Sequence, residues 1–271
     1  MHLSDAGIGI KHFCYLWFLY EIMNAFKRVS GHIYYFYGMI VFLITLVLVA
    51  IPAGISLLFP EPKRARIVHP SYWVWMHVFL PLVFCRVKRT GKENFKKGEN
   101  YVVVTNHNSF VDILVSVPWI PGPNKTLAKI EMARIPIFGV VYRAGSILLD
   151  RKQENSRRES FTKMQETLKM GLHLSLYPEG TRNKTDKPLQ PFFDGAFITA
   201  IRSQKPIIPS VILGTKDILP PAPKFWAQPK KIKIHFFKPV PTKGLAMKDR
   251  QELSGQIHEL MEQYILEHTQ D

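Results

Sequence analysis

From residue 29 to residue 60 the chain contains no Asp, Glu, Lys or Arg, and this stretch limits the available folds more than any other feature. Within it, residues 33–59 read IYYFYGMIVFLITLVLVAIPAGISLLF, longer than the roughly 20 apolar residues that cross a bilayer's hydrocarbon core. Tyr34, Tyr35 and Tyr37 cluster at its start, where an interfacial aromatic belt would sit. A cleaved signal peptide fits poorly, because the run begins too far in and is too long. The competing reading is a buried core helix, which an uncharged run of this length seldom forms. Two further stretches are apolar and aromatic: residues 13–26, apart from Glu21 and Asn24, and residues 72–87 (YWVWMHVFLPLVFCRV), interrupted by Pro81. Both are short for independent spans and suit interfacial or re-entrant helices. Lys11, Lys27 and Arg28 precede the long run while Lys63, Arg64 and Arg66 follow it, so the positive-inside rule chooses no orientation. A single span and a hairpin that dips and returns both stay open, with Pro52 and Gly54 available for a bend.

Charge divides the chain in the same place. Thirty-six Lys and Arg against 21 Asp and Glu give +15, of which the first sixty residues, with three cations and two anions, hold +1. An apolar end joined to a +14 body points to a membrane surface at least as strongly as to nucleic acid. The repeats of basic and stacking aromatic residues typical of nucleic-acid binders are absent. At 46% apolar and 21% charged residues, the composition is that of a globular protein and excludes disordered and collagen-like classes. Cys14 and Cys85 are too few for a disulfide framework, and no CxxC or Cys/His cluster suggests zinc. The division expected is residues 1–90 as membrane-anchoring helices and residues 91–271 as a catalytic domain.

The body alternates strands and helices, which implies an α/β fold: a mixed, largely parallel sheet flanked by helices. Strand-like segments lie at 101–105 (YVVVT), 125–128, 146–149, 173–177, 207–213 and 232–237. Residues 109–117 are expected to be helical. A second helix opens at Ser156 with a capping box to Glu159 and buries Phe161, Met164 and Leu168. A last helix places Leu253, Ile257, Leu260, Met261, Tyr264 and Ile265 on one face. Residues 118–123 and 220–229 are turn-rich connections.

Ligands of such sheets gather at the carboxyl ends of the strands. After 101–105 comes Asn106-His107-Asn108-Ser109-Phe110-Val111-Asp112, an imidazole at a strand end with a carboxylate about one turn into the next helix. That spacing lets Asp112 accept from one ring nitrogen of His107 and leaves the other as a base. His107 is the only histidine with an acidic residue five positions ahead, although a lone His–Asp pair is more often a structural hydrogen bond. The second constellation is Tyr177-Pro178-Glu179-Gly180-Thr181-Arg182. Gly180 permits a tight turn, Thr181 offers a hydroxyl, and Arg182 offers a fork suited to phosphate. Glu179 either orients the arginine or holds the loop shut. Read blandly, the block is a solvated turn with a surface salt bridge. Residues 145–151 (GSILLDR) form a strand closing on an acidic–basic pair, and 205–209 (KPIIP) open a strand that, read blandly, enters at a sheet edge.

Taken together and in this order, the four blocks resemble the glycerolipid acyltransferase family, and within it the 1-acyl-glycerol-3-phosphate (lysophosphatidic acid) acyltransferases. Asn106, His107 and Asp112 match its NHxxxxD motif, and Glu179, Gly180, Thr181 and Arg182 match EGTR letter for letter. Gly145 to Arg151 is similar to its second motif, with Leu148 where many members carry an aromatic residue, and Pro206 to Pro209 is similar to its fourth. The likeness covers roughly residues 91–240.

The resemblance implies a glycerol-3-phosphate acyltransferase-like fold and transfer of an acyl group from acyl-CoA or acyl-carrier protein to the sn-2 hydroxyl of lysophosphatidic acid, giving phosphatidic acid. It assigns His107 as general base, with Asp112 fixing its tautomer. Arg182 would hold the acceptor's phosphate, with Arg151 and Lys129 as further cations and Asn106, Glu179, Gly180 and Thr181 in the substrate-binding set. Backbone N–H groups after His107 are the expected oxyanion donors. No serine or cysteine nucleophile is needed, in keeping with the absence of a GxSxG elbow. No metal or cofactor is implied. The partners expected are membrane phospholipid, the lysolipid and the acyl donor, not nucleic acid, and the expected location is the cytoplasmic membrane with the site on its cytosolic face. Another lysolipid, an amino-acid lipid or a lipid A precursor is the alternative acceptor. A non-catalytic basic membrane-binding protein is the alternative class.

Overall fold

An uncharged run rich in Leu, Ile, Val and Phe satisfies its own backbone hydrogen bonds best as a helix, and the N-terminal half of the chain obeys this. The computed structural model describes residues 4–150, 153–220 and 224–269. Helix α1 (Ser4–Ser56) is a single 53-residue element that joins the 13–26 stretch to the long apolar run. It passes through Pro52 and Gly54 without ending there. The reversal comes instead in residues 57–62, and α2 (Lys63–Leu82) returns along the second half of α1. Tyr34 and Tyr37, expected in a lipid-facing belt, donate their hydroxyls to the Val83 and Leu82 carbonyls at 2.5 and 2.7 Å. They therefore pin α1 to the end of α2. The buried-core reading of α1 is overturned. Leu46, Val49 and Ala53 pack inward, while Phe36, Ile40, Leu43, Ile44, Leu48 and Ile51 are exposed. The apolar helix thus presents a continuous apolar side outward, long enough to cross a membrane.

The rest of the chain forms β1 (Arg86–Thr90), β2 (Val102–Thr105), α3 (Val111–Trp119), β3 (Asn124–Lys129), α4 (Phe138–Gly145), β4 (Ser146–Leu149), α5 (Glu154–Lys169), β5 (His173–Leu176), α6 (Gly195–Ser203), β6 (Ile207–Leu213), α7 (Thr215–Ile218), β7 (Lys231–Phe236) and α8 (Arg250–His268). The strands make one sheet in the order β1-β7-β6-β2-β5-β3-β4. Every neighbouring pair is parallel except β6–β7, which is the mixed, largely parallel sheet expected. One face packs on α2, α3 and α4, with α1 lying against α2 and α4, and the other face packs on α5, α6 and α8. The central strands β2 and β5 are buried throughout, as strands covered on both faces must be.

Four expectations about elements need correction. Strand β1 was absorbed into the apolar run before it, because RVKRT carries three cations in five residues, a composition that suits an edge strand. Strand β6 is third in the order, so residues 205–209 do not enter at an edge. Helix α5 starts two residues before Ser156, whose hydroxyl accepts the Asp150 N–H at 2.9 Å instead of closing a capping box. In α8, Leu253, Ile257, Met261 and Ile265 form the buried stripe while Leu260 is exposed.

Candidate active site

The carboxyl ends of β2 and β5 lie side by side, and both motif loops leave from them. Val102 pairs with Leu174 and Val104 with Leu176, so the loops after Thr105 and Leu176 emerge together at the carboxyl end of the sheet's centre. Backbone hydrogen bonds then stitch them to each other. Asn183 N–H donates to the His107 carbonyl at 2.6 Å, and His107 N–H donates to Glu179 Oε1 at 2.7 Å.

His107 and Asp112 meet as their spacing requires. The imidazole Nδ1 lies 2.9 Å from Asp112 Oδ2. Asp112 is fully buried in the first turn of α3, and the same oxygen accepts Asn108 N–H at 2.6 Å and Ser109 N–H at 2.7 Å. Its other oxygen, Oδ1, accepts the hydroxyl of Thr215 at 2.5 Å. Thr215 is buried at the start of α7, where Gly214 turns the chain at φ +87 after β6. With Nδ1–H held by the carboxylate, Nε2 keeps its lone pair, and it has no hydrogen-bond partner among the described residues. The ring lies on Tyr177, centroids 4.3 Å apart and planes 23° off parallel. Tyr177 in turn shares a 2.6 Å hydroxyl bond with Ser116. Burial pushes the Tyr177 phenol well above its ordinary range, so the wall beneath His107 stays neutral. The assembly holds an oriented imidazole whose free nitrogen can take a proton from a hydroxyl brought to it.

EGTR divides its work between wall and mouth. Glu179 is buried, with Oε1 taken by His107 N–H and Oε2 by Gln190 N–H at 2.9 Å. Its carboxylate thus holds the loop shut, and it forms no ion pair with Arg182. Burial raises its pKa, against the two backbone N–H bonds that lower it. Gly180 adopts φ +67, and a Cβ there would come within 2.8 Å of the Phe193 ring, so a side chain at this position is doubly opposed. Thr181 is exposed at the turn. Arg182 is half-buried, its guanidinium 3.7 Å from the centroid of the half-exposed Phe110 ring. Among the described residues it pairs with no carboxylate. A cation resting on an aromatic face keeps its in-plane N–H fork directed outward, which suits an oxyanion.

The other expected residues fall differently. Asn106 is buried and bonds strand β6 through both ends of its amide, donating to the Ile212 carbonyl at 2.9 Å and accepting Ile212 N–H at 2.7 Å. Both ends of the amide are thus used in bracing the loop against β6. The N–H groups of Asn108 and Ser109 are committed to Asp112, which removes them as oxyanion donors. Lys129 is exposed at the carboxyl end of β3, two strands from β2 and hence about 10 Å away along the sheet. Arg151 lies outside the described residues. Thr215, Tyr177, Ser116 and Phe110 complete the site without having been singled out. For Thr215 there was no local signal, since 103 positions separate it from Asp112.

An apolar pocket opens between α2, α3 and α4. Trp75, Met76, Ile113, Leu114, Val117 and Phe138 are among the residues of its wall. Ile113 and Leu114 of its wall directly follow Asp112 on α3.

Comparison with known proteins agrees with this architecture. Residues 86–213 match the family model described as Acyltransferase. The chain is 28% identical over 249 residues to the 1-acyl-sn-glycerol-3-phosphate acyltransferase alpha of Mus musculus, covering 91% of this chain and 82% of that protein. To the 1-acyl-sn-glycerol-3-phosphate acyltransferase of Saccharomyces cerevisiae it is 27% identical, over 71% of this chain and 65% of the other. Among solved structures, the lysophosphatidic acid acyltransferase PlsC from Thermotoga maritima superposes with a TM-score of 0.74 at 21% identity, covering 89% of this chain and 98% of that one. The chain is thus similar to the acyltransferase family model over residues 86–213 and to 1-acyl-sn-glycerol-3-phosphate acyltransferases along most of its length, and it shares the fold of the Thermotoga maritima structure.

Proposed function

We propose that the chain transfers an acyl group from acyl-CoA or acyl-carrier protein to the sn-2 hydroxyl of 1-acyl-glycerol-3-phosphate, releasing the thiol carrier and giving phosphatidic acid. The observation that carries this reading is a His107 Nε2 and an Arg182 fork, neither with a polar partner among the described residues, on two loops that leave adjacent strand ends, in a domain whose helix α3 also walls an apolar pocket. A lysophosphatidic acid has all three complementary parts: a hydroxyl, a phosphate and an acyl chain.

In this reading Arg182 takes the phosphate and sets the glycerol so that the hydroxyl meets Nε2. His107 removes the hydroxyl proton as the oxygen attacks the thioester carbonyl, and Asp112 stabilises the imidazolium that forms. Collapse of the tetrahedral intermediate expels the thiolate, which takes the proton back from His107. The acceptor oxygen is itself the nucleophile, so no acyl-enzyme forms. The pocket, with its almost wholly apolar lining, takes an acyl chain. Helix α1, apolar on its outer side, holds the domain at the bilayer that contains acceptor and product. The cytosolic face of the cytoplasmic membrane is the side on which both donors occur.

The test is acyl transfer by the purified chain in vesicles, offering lysophosphatidic acid against lysolipids without a terminal phosphate, with each donor in turn. Phosphatidic acid should form, and Arg182→Ala should raise the acceptor KM with a smaller effect on kcat. An unchanged acceptor KM would refute the phosphate assignment.

A further inference from the structure

A second feature points at lipid from outside the site. Between β3 and α4 the chain makes a turn through Arg134, Ile135, Pro136 and Ile137, all four exposed. Ile137 has φ +62 and ψ −58, and Phe138 N–H bonds the Pro136 carbonyl at 2.6 Å across it. This is a γ-turn of the rare, strained hand, occupied by a β-branched residue. The turn is clamped in place. Gly139 packs so closely that a Cβ would come within 2.3 Å of the Ala133 carbonyl oxygen, and Arg143 donates to that oxygen from Nε and Nη2 at 3.1 and 2.5 Å. A strained backbone that pushes two isoleucines into water, each nearly half exposed, contradicts the usual economy of a folded surface and signals use.

Its surroundings identify the use. Helix α4, which the turn opens, packs against the end of α1, with Val140 3.7 Å from a Cβ position on Gly54. There Ile51, Ile55 and Leu58 are also exposed, so the apolar side of α1 ends against the helix that the turn opens. On its other side α4 walls the pocket with Phe138, Val141 and Tyr142. Arg134 and, at the end of β3, Lys129 flank the isoleucines with exposed cations.

We propose that the Arg134-Ile135-Pro136-Ile137 turn is a wedge that enters an anionic bilayer. The two isoleucines seat below the headgroups, Arg134 lies among the phosphates, and the pocket mouth opens into the lipid layer. This rests on the bilayer attachment of the preceding reading but not on turnover. The apolar-plus-basic surface matches a bilayer, which offers hydrocarbon beneath a layer of negative charge.

The test places a fluorophore that responds to its surroundings on Ile137→Cys, in the full chain carrying Cys14→Ser and Cys85→Ser, bound to vesicles of phosphatidylcholine and phosphatidylglycerol. Gly255→Cys, exposed on α8 with nothing nearby, is the control. Insertion predicts a blue-shifted emission at 137 that nitroxides on the acyl chains quench more than nitroxides on the headgroups, while 255 reports water. Water-like emission at 137 on vesicle-bound protein overturns the wedge. A blue shift without lipid quenching also overturns it, because it means that protein, such as a second copy of the chain, covers the turn. Acyl transfer is measured separately: a quenched label on a chain that transfers no acyl group would leave the wedge standing and refute the proposed reaction.

Discussion

Replacing Asp112 by Asn separates two tasks that the carboxylate performs for His107. Oδ2 faces three donors, His107 Nδ1–H and the N–H groups of Asn108 and Ser109, whereas Oδ1 faces the Thr215 hydroxyl. A hydroxyl can rotate and accept, but the three N–H groups cannot. Asparagine therefore has one satisfiable orientation, with its oxygen toward the three donors and its NH₂ toward Thr215. In that orientation His107 keeps its proton on Nδ1, and what disappears is the negative charge. With charge centres roughly 4 Å apart and an effective dielectric near 20, that charge attracts an imidazolium by about 4 kcal/mol. The amide recovers about 1 kcal/mol as a neutral hydrogen bond. The remaining ~3 kcal/mol corresponds to a fall in kcat of about 10²-fold, short of the roughly 10⁴-fold loss that a wrong tautomer brings to a Ser-His-Asp triad. The assay is kcat at saturating acceptor, with thermal unfolding measured alongside. Full activity would refute the role of the charge. Collapse of both activity and melting temperature would refute the argument that Thr215 accommodates the amide.

Thr215→Val leaves Asp112 Oδ1 without its hydroxyl donor, so a loss of about 1.5–3 kcal/mol is expected, read as a lower melting temperature together with reduced kcat. Thr215→Ser should restore both, and a silent Thr215→Val would show that the contact is incidental. For Glu179 the sign follows from burial, which raises its folded-state pKa. The group contributes stability that is complete below the ordinary carboxyl range and is lost as pH rises through the raised folded value. Glu179→Gln does not titrate, so the melting-temperature advantage of the natural chain over this variant should shrink as pH rises from about 4 toward 8. An advantage that widens over that interval would contradict the assignment.

What the sequence made legible was whatever is local. Strands 146–149 and 207–213 match β4 and β6 residue for residue, because short apolar runs between turn residues leave little choice of element. The dyad was legible too, since strand end, loop and helix start fix the separation of His107 and Asp112. Burial and long-range pairing were not. Asn106 and Glu179 look like ligand groups in a string of letters, yet in the fold their polar atoms satisfy the backbone of β6 and of the two loops. A polar side chain in a motif can as readily hold the motif as touch a substrate, and only its partners tell the two apart. Strand β1 was missed for the converse reason: its cations hide a strand whose only pairing is with β7, more than a hundred residues later.

The central claim, that an imidazole held by Asp112 takes the acceptor's proton, is tested most directly by His107→Ala in the full chain bound to vesicles. Formation of phosphatidic acid is followed alongside vesicle binding and thermal unfolding. His107 is partly exposed, and among the described residues its ring bonds only Asp112 and stacks on Tyr177, so the variant should fold and bind membrane as the natural chain does. Its turnover should fall by about 10²–10⁴-fold, the range expected when a general base is removed. Undiminished turnover in a folded, membrane-bound His107→Ala chain would contradict the account.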